Sequence, residues 1–116
     1  MLEIQQISFT YPGQEPALKN VSLTINEGEF IGLAGRNGSG KTTLTRVMVG
    51  LAKPVSGQVT LDGRPAKNSG PAVMARAIGY VFQNPDRQIF RDTVAQEVAF
   101  GPEQLGWSEQ ERQVAV

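Results

Sequence analysis

Apolar and polar positions alternate near the start of the chain and later give way to unbroken apolar runs, and the change predicts two kinds of strand. Leu2 and Ile4 alternate with polar neighbours, the phase slips at Gln5-Gln6, and Ile7, Phe9 and Tyr11 resume it. An alternation that loses step by one residue predicts a strand carrying a bulge. Pro12-Gly13 ends it. After a loop through Pro16, Val21, Leu23 and Ile25 alternate with Ser22 and Thr24, predicting a second strand with one wet face. Beyond the Glu27-Gly28 turn, Phe30 to Ala34 is continuously apolar, the pattern of a parallel strand covered on both faces.

The period then changes. Leu44, Val47, Met48 and Leu51 recur at helical spacing from Lys41 onward, with Gly50 and Pro54 marking the end. Val59 and Leu61 alternate with Gln58 and Thr60 ahead of Asp62-Gly63, a hairpin dipeptide, with a short return strand expected over Arg64 to Lys67. Asn68 to Pro71 reads as a loop and Val73 to Ala77 as a helical turn. Ile78 to Phe82 is a second continuous apolar strand, expected in the same parallel sheet. Asp92-Thr93 opens a helix, with Gln96 in capping-box position and Val94, Ala95, Val98 and Ala99 on one face; Gly101-Pro102 is expected to stop it. Ser108 with Glu111 forms another capping box and starts a polar helix reaching Val116. The pattern is that of an α/β chain without internal repeats or low-complexity tracts.

Composition narrows the chemistry. A chain of 116 residues builds one small core rather than two. Eleven basic and eleven acidic side chains cancel, so no global field attracts nucleic acid or an anionic membrane. With neither cysteine nor histidine, a disulfide framework, a zinc site of those ligands and a histidine-based triad are excluded within these residues. No apolar run approaches the roughly 20 residues of a membrane span. Met1-Leu2-Glu3-Ile4 does not read as a signal peptide, so any service to a membrane is expected to run through a partner.

The candidate chemistry lies in Gly35-Arg36-Asn37-Gly38-Ser39-Gly40-Lys41-Thr42, a full match to the phosphate-binding P-loop pattern G-x-x-x-x-G-K-[ST]. Its glycines let the backbone curl so that successive N–H groups face a polyphosphate, and the following helix adds the positive end of its dipole. Lys41 supplies a point charge for the β- and γ-phosphates, and the Thr42 hydroxyl can ligate magnesium. A merely flexible glycine loop would leave Lys41 and Thr42 unexplained. A dinucleotide fingerprint is excluded because Gly38-Ser39-Gly40 runs into Lys41-Thr42-Thr43 with no third glycine.

With these residues in place, the chain resembles the ATP-binding subunit of an ATP-binding cassette (ABC) transporter along nearly its whole length. Three further features carry the resemblance. Tyr11 stands where the family places an aromatic that stacks on adenine; a half-buried strand-end tyrosine against Phe9 is the plainer alternative. Gln83 follows the run Ile78 to Phe82 at the Q-loop position, where its amide oxygen could serve the magnesium ion or a water bound to it. Gln83-Asn84-Pro85-Asp86-Arg87-Gln88-Ile89-Phe90, followed by Thr93-Val94 and by Glu97-Val98-Ala99-Phe100-Gly101-Pro102, is similar to the energy-coupling factor branch, whose ATPases drive uptake of vitamins or of cobalt and nickel ions.

The resemblance implies a P-loop NTPase core with an antiparallel β subdomain and the start of a helical subdomain, residues 1–116 being the N-terminal part of one ATP-binding domain. It implies ATP and Mg2+ as ligands, with Tyr11, Gly35 to Ser39, Gly40, Lys41, Thr42 and Thr43 on the nucleotide. Lys41 and Gln83 would act in catalysis, and Thr42 and Gln83 on the metal. The implied partners are a second ATPase subunit, identical or paralogous, a transmembrane coupling subunit and a substrate-binding membrane subunit, at the cytoplasmic face of the membrane. Nucleic acid is not expected. The family's signature segment, magnesium-binding aspartate, catalytic glutamate and switch histidine have no counterpart in these residues, so the chain alone is expected to bind nucleotide without turning it over. Glu97, Glu103, Glu109 and Glu111 read as solvated positions. The alternative is a soluble ATPase of the same family acting on ribosomes or DNA, against which the neutral charge and the short Q-loop connection weigh.

Overall fold

The computed structural model describes residues 1–66 and 70–116, so the end of the return strand at Lys67 and the Asn68-Ser69 part of the expected loop lie outside the described residues. Two compact units divide the chain at Ile78/Gly79.

The first unit is built on an antiparallel sheet of order β2-β1-β3-β4, from β1 (Leu2–Thr10), β2 (Pro16–Ile25), β3 (Ser56–Leu61) and β4 (Arg64–Pro65). β2 begins at Pro16, earlier than its alternating residues suggest. The slip at Gln5-Gln6 is a bulge: Ile4 pairs with Leu23 and Ile7 with Val21, three steps on β1 against two on β2. β2 then takes its own extra residue, with Ile7 on Val21 and Phe9 on Leu18, and the register shifts once more before Thr10, which pairs with Pro16. Both extra positions, Gln6 and Asn20, sit at φ 49°. Their N–H groups are displaced from the ladder and donate instead to cross-strand serines, Gln6 to Ser22 Oγ and Asn20 to Ser8 Oγ, each at 3.0 Å. The same bulge shifts β1 against β3 between Gln5 and Ser8. There Gly57 (φ 84°) lies so close that a Cβ would run into the carbonyl oxygens of Gln5 and Gln6.

α1 (Lys41–Met48) packs on this sheet. Its Leu44 and Val47 join Ile4, Ile7, Leu18 and Val59 in one buried cluster. Burying each such aliphatic side chain contributes about 2 kcal/mol. The helix stops at Gly50, whose N–H donates to Val47 O at 3.1 Å while Leu51 N–H reaches Arg46 O at 2.8 Å, so Leu51 lies just past the helix it was expected to close. The Asp62-Gly63 hairpin forms as expected between β3 and β4. α2 (Gly70–Ala77) is a full helix rather than one turn, with Met74 buried.

The two continuous apolar runs depart from expectation. Neither Phe30 to Ala34 nor Ile78 to Phe82 belongs to the sheet, and Phe30, Ile31, Leu33, Val81 and Phe82 are all exposed. A parallel strand is held by neighbours reached through crossovers, not by its own apolarity. The sheet of the described residues is a set of antiparallel pairs and offers these runs no such neighbour.

The second unit is helical. Asn84 Oδ1 accepts from Asp86 N–H at 3.0 Å and caps a 3-10 turn over Pro85–Arg87. α3 (Val94–Gln104) starts on Thr93 as expected, with Thr93 Oγ1 accepting from Gln96 N–H. It does not stop at Gly101-Pro102. Proline removes only the bond to the Val98 carbonyl, on a residue open enough for water to replace it. The stop is Gly106, where Gly106 N–H donates to Glu103 O and Trp107 N–H to Pro102 O, the paired bonds of a Schellman motif. α4 (Glu109–Ala115) carries the complete Ser108/Glu111 capping box.

Candidate phosphate-binding site

The loop between the Phe30 to Ala34 run and α1 closes on itself through a turn in which Ser39 N–H donates to Arg36 O at 3.1 Å. Arg36, Asn37 and Gly38 are exposed on it. Gly35 is held close to Ser39: a Cβ there would lie 2.7 Å from Ser39 Oγ. The chain enters α1 through Gly40 at φ 92°, ψ 4°, a left-handed conformation. Space forbids a side chain there as firmly as backbone geometry does, because a Cβ on Gly40 would sit 2.6 Å from Ala17 O and 3.1 Å from Leu18 Cδ2.

Gly40 has a second consequence. With no side chain it cannot cap the helix, and no acidic residue stands in the first turn of α1. The first N–H groups of a helix have no partner within it, so those of Lys41, Thr42 and Thr43 remain as donors at the positive end of the helix dipole. Lys41 adds the charge. Its Nζ donates to Gly35 O at 2.6 Å, Arg36 O at 2.8 Å and Ser39 Oγ at 3.3 Å, which fixes the ammonium against the loop's own backbone. An uncapped helix start, a curled glycine loop and a tethered ammonium fit an anionic polyphosphate. The exposed Thr42 beside them fits a hard cation bound to that phosphate.

Tyr11 reaches this helix from the end of β1. Its phenol shares a 3.0 Å hydrogen bond with Thr43 Oγ1, and its ring meets Phe9 at 80° with centroids 4.8 Å apart. Tyr11, Gly35 to Gly40 and Lys41 to Thr43 therefore come together within the first unit. The phenol is thus committed to buried Thr43. Gln83 stands in the second unit, exposed on the stretch before the 3-10 turn.

One neighbour of the loop, and separately one carboxylate of the second unit, were not foreseen from the sequence. Ala17 supplies the carbonyl under Gly40, and no local pattern marks it. Glu97, taken as solvated, is half-buried, and its Oε2 accepts from Phe90 N–H at 3.1 Å and Arg91 N–H at 2.9 Å. A glutamate in the first turn of a helix, just after a loop with free N–H groups, is the signal that would have found it.

Fold and loop together define a P-loop phosphate-binding unit. Residues 18–116 match the family model of the ABC transporter, and the chain belongs to that family. It is 49% identical over 111 residues to a protein of Pyrococcus furiosus whose name is "Putative ABC transporter ATP-binding protein", covering 96% of this chain and 42% of that one. It is 43% identical over 118 residues to the energy-coupling factor transporter ATP-binding protein EcfA2 of Methanospirillum hungatei, covering 100% of this chain and 30% of the relative. Among solved structures it is similar to cbiO1 from Clostridium perfringens, part of the ABC transporter complex cbiONQ, at TM-score 0.81 and 34% identity over 97% of this chain and 46% of that one. It is also similar to the ATP-binding cassette MJ0796, solved as a dimer in a post-hydrolysis state bound to ADP and Pi, at TM-score 0.83 and 31% identity over 98% and 53%. The fold is thus that of an ABC ATPase with its antiparallel sheet, and the chain spans about half the length of these solved relatives or less of the curated ones.

Proposed function

We propose that this chain is the nucleotide-binding part of an ATP-binding subunit of an ABC importer of the energy-coupling factor type, coupling ATP binding and hydrolysis to uptake of a vitamin or a transition-metal ion. The observation that carries the reading is the Lys41 ammonium held at the uncapped start of α1. There it would face the β- and γ-phosphates of ATP, the α1 N–H groups would donate to the same oxygens, and Thr42 would hold Mg2+; the resemblance assigns Gln83, in the second unit, a role toward the same ion. Magnesium, when bound, supplies further neutralisation of the charge that develops on the transferred phosphoryl group. Tyr11 offers its ring to the adenine.

The likeness to EcfA2 and to cbiO1 supports the importer branch. In that setting a second ATPase subunit completes the site, and a transmembrane coupling subunit and a substrate-binding membrane subunit complete the transporter. No helix among the described residues is long and apolar enough to cross a membrane, consistent with a peripheral place at its cytoplasmic face. Hydrolysis needs a carboxylate to polarise water. Glu97 and Glu111 are engaged by backbone N–H groups, and Glu103 and Glu109 by Arg112; with no residue assigned the family's catalytic glutamate, the proposal is that these 116 residues by themselves bind ATP without turnover.

The test uses the full-length protein with its membrane partners. Lys41→Ala should abolish Mg-ATP binding by calorimetry and ATP-driven uptake while leaving co-purification with the coupling subunit intact. ATP affinity unchanged in Lys41→Ala, or a parent protein that co-purifies with nucleic acid and no membrane subunit, would sink the proposal.

A further inference from the structure

Tyr11 lies 32 residues before Thr43, the helix residue it touches, and it is fixed from two other sides. Its own carbonyl accepts from Gln14 N–H at 3.1 Å, closing the turn after β1, and its ring is set edge-on to Phe9. A phenol anchored in this way aims its hydroxyl at one point, the hydroxyl of buried Thr43 in the first turn of α1. On the other flank Gly40 rests on Ala17 O of β2. Together with the burial of Leu44 and Val47 against the sheet, these two contacts tie the start of α1 to the antiparallel strands.

We infer that Tyr11 is a positioning residue for phosphate binding, acting through Thr43, in addition to any contact of its ring with a base. The inference rests on the P-loop reading above. A hydroxyl accepts and donates at once, so Thr43 Oγ1 can take the Tyr11 proton in a hydrogen bond while its own O–H points to an anion at the helix start. The phenol thereby fixes the rotamer of Thr43 and the first turn whose N–H groups meet the phosphates. A base-stacking residue would affect only ligands that carry a base. A positioning residue affects the phosphates themselves.

Inorganic tripolyphosphate separates the two, because it has phosphates and no base. In the full-length protein, Tyr11→Phe keeps the aromatic face and removes the hydroxyl. It should weaken tripolyphosphate and ATP alike, by about fivefold, the worth of one ordinary hydrogen bond. Thr43→Val should weaken both ligands at least as much and make Tyr11→Phe silent in the double variant, whereas Thr43→Ser should keep parental affinity and keep the sensitivity to Tyr11→Phe. A tyrosine with a merely structural role would lower the melting temperature of all these variants without that dependence on the Thr43 hydroxyl. Parental tripolyphosphate affinity in Tyr11→Phe, losses that add in the double variant, or a parent that binds ATP and not tripolyphosphate would each overturn the inference. Failure of Lys41→Ala to impair ATP binding would instead overturn the P-loop reading beneath it.

Discussion

The two units of the chain are held by different forces. Residues Met1–Ile78 own a core: Ile4, Ile7, Leu18, Leu44, Val47 and Val59 are buried together, and Met74 is buried in α2. In Gly79–Val116 neither α3 nor α4 has a buried residue, and Val94, Val98 and Val114 stand in solvent. That unit is organised by polar and aromatic devices instead. Caps close both helix starts, Glu97 ties down Phe90 and Arg91, Arg91 lies over the rings of Phe90 and Phe100, and Arg112 joins Glu103 and Glu109. Burying a core side chain contributes about 2 kcal/mol where a cap contributes about 1 kcal/mol. The phosphate loop belongs to the unit with the core, which suits a site that must hold an ammonium and several N–H groups in fixed geometry.

The largest expected effect tests that contrast directly. Ile7 is fully buried, so Ile7→Ala should cost about 4 kcal/mol in chemical denaturation, as the loss of apolar contact adds to a residual cavity. Val94, at 82% exposure on α3, should tolerate the same truncation within about 0.5 kcal/mol. Comparable losses at the two positions would erase the distinction between the units.

A smaller effect probes the bulge that sets the sheet's register. Gly57→Ala should cost about 3 kcal/mol, combining the penalty of a left-handed backbone with the clash against the Gln5 and Gln6 carbonyls. Gly28 has a similar φ of 78° but open space around it, so Gly28→Ala should cost only about 1 kcal/mol. Equal penalties at the two glycines would mean that the close approach at the bulge contributes nothing.

Much of this was legible from the chain, for reasons that are local. The slip at Gln5-Gln6, the Asp62-Gly63 turn, the α1 stripe and the Ser108/Glu111 box each declare themselves within a few residues, because period and capping chemistry are properties of neighbours. The Gly35 to Thr42 pattern is local in the same way, and the structure shows the curled loop ahead of α1 that it predicts. The continuous runs were not legible: apolarity said that Phe30 to Ala34 and Ile78 to Phe82 should be covered, but a parallel strand exists only when other strands flank it, and sequence period carries no record of that. The pairing of Tyr11 with Thr43 and of Gly40 with Ala17 was hidden for a related cause, since both contacts join segments that are distant along the chain. Gly101-Pro102 misled because a proline near a helix end removes a single bond, and Gly106 held the stronger stop.

The smallest effect belongs to the unit without a core, and it is a matter of pH. Glu111 accepts from Ser108 N–H at 2.7 Å and from Ser108 Oγ at 2.8 Å, and these bonds, the backbone one first, hold its carboxyl below the ordinary 4.5. A carboxylate whose folded value is depressed contributes stability that is fully present above 4.5 and is lost as the pH falls through the lower, folded value. The Ser108 amide resonance should therefore move with a midpoint below 4.5, together with fraying of α4, and Glu111→Gln should flatten that titration. At neutral pH, Ser108→Ala should cost about 1 kcal/mol of local α4 stability, read as faster amide exchange in α4. In the first unit the core amides of Ile4 and Val47 should stay still through the same acid step, while Asn26, whose N–H donates to Glu29 Oε2 at 2.7 Å, should move, because that bond and the Asn26 side chain hold the Glu29 carboxyl below its ordinary value as well. Movement of Ile4 or Val47 with the Ser108 midpoint would show that the two units share more than this division allows.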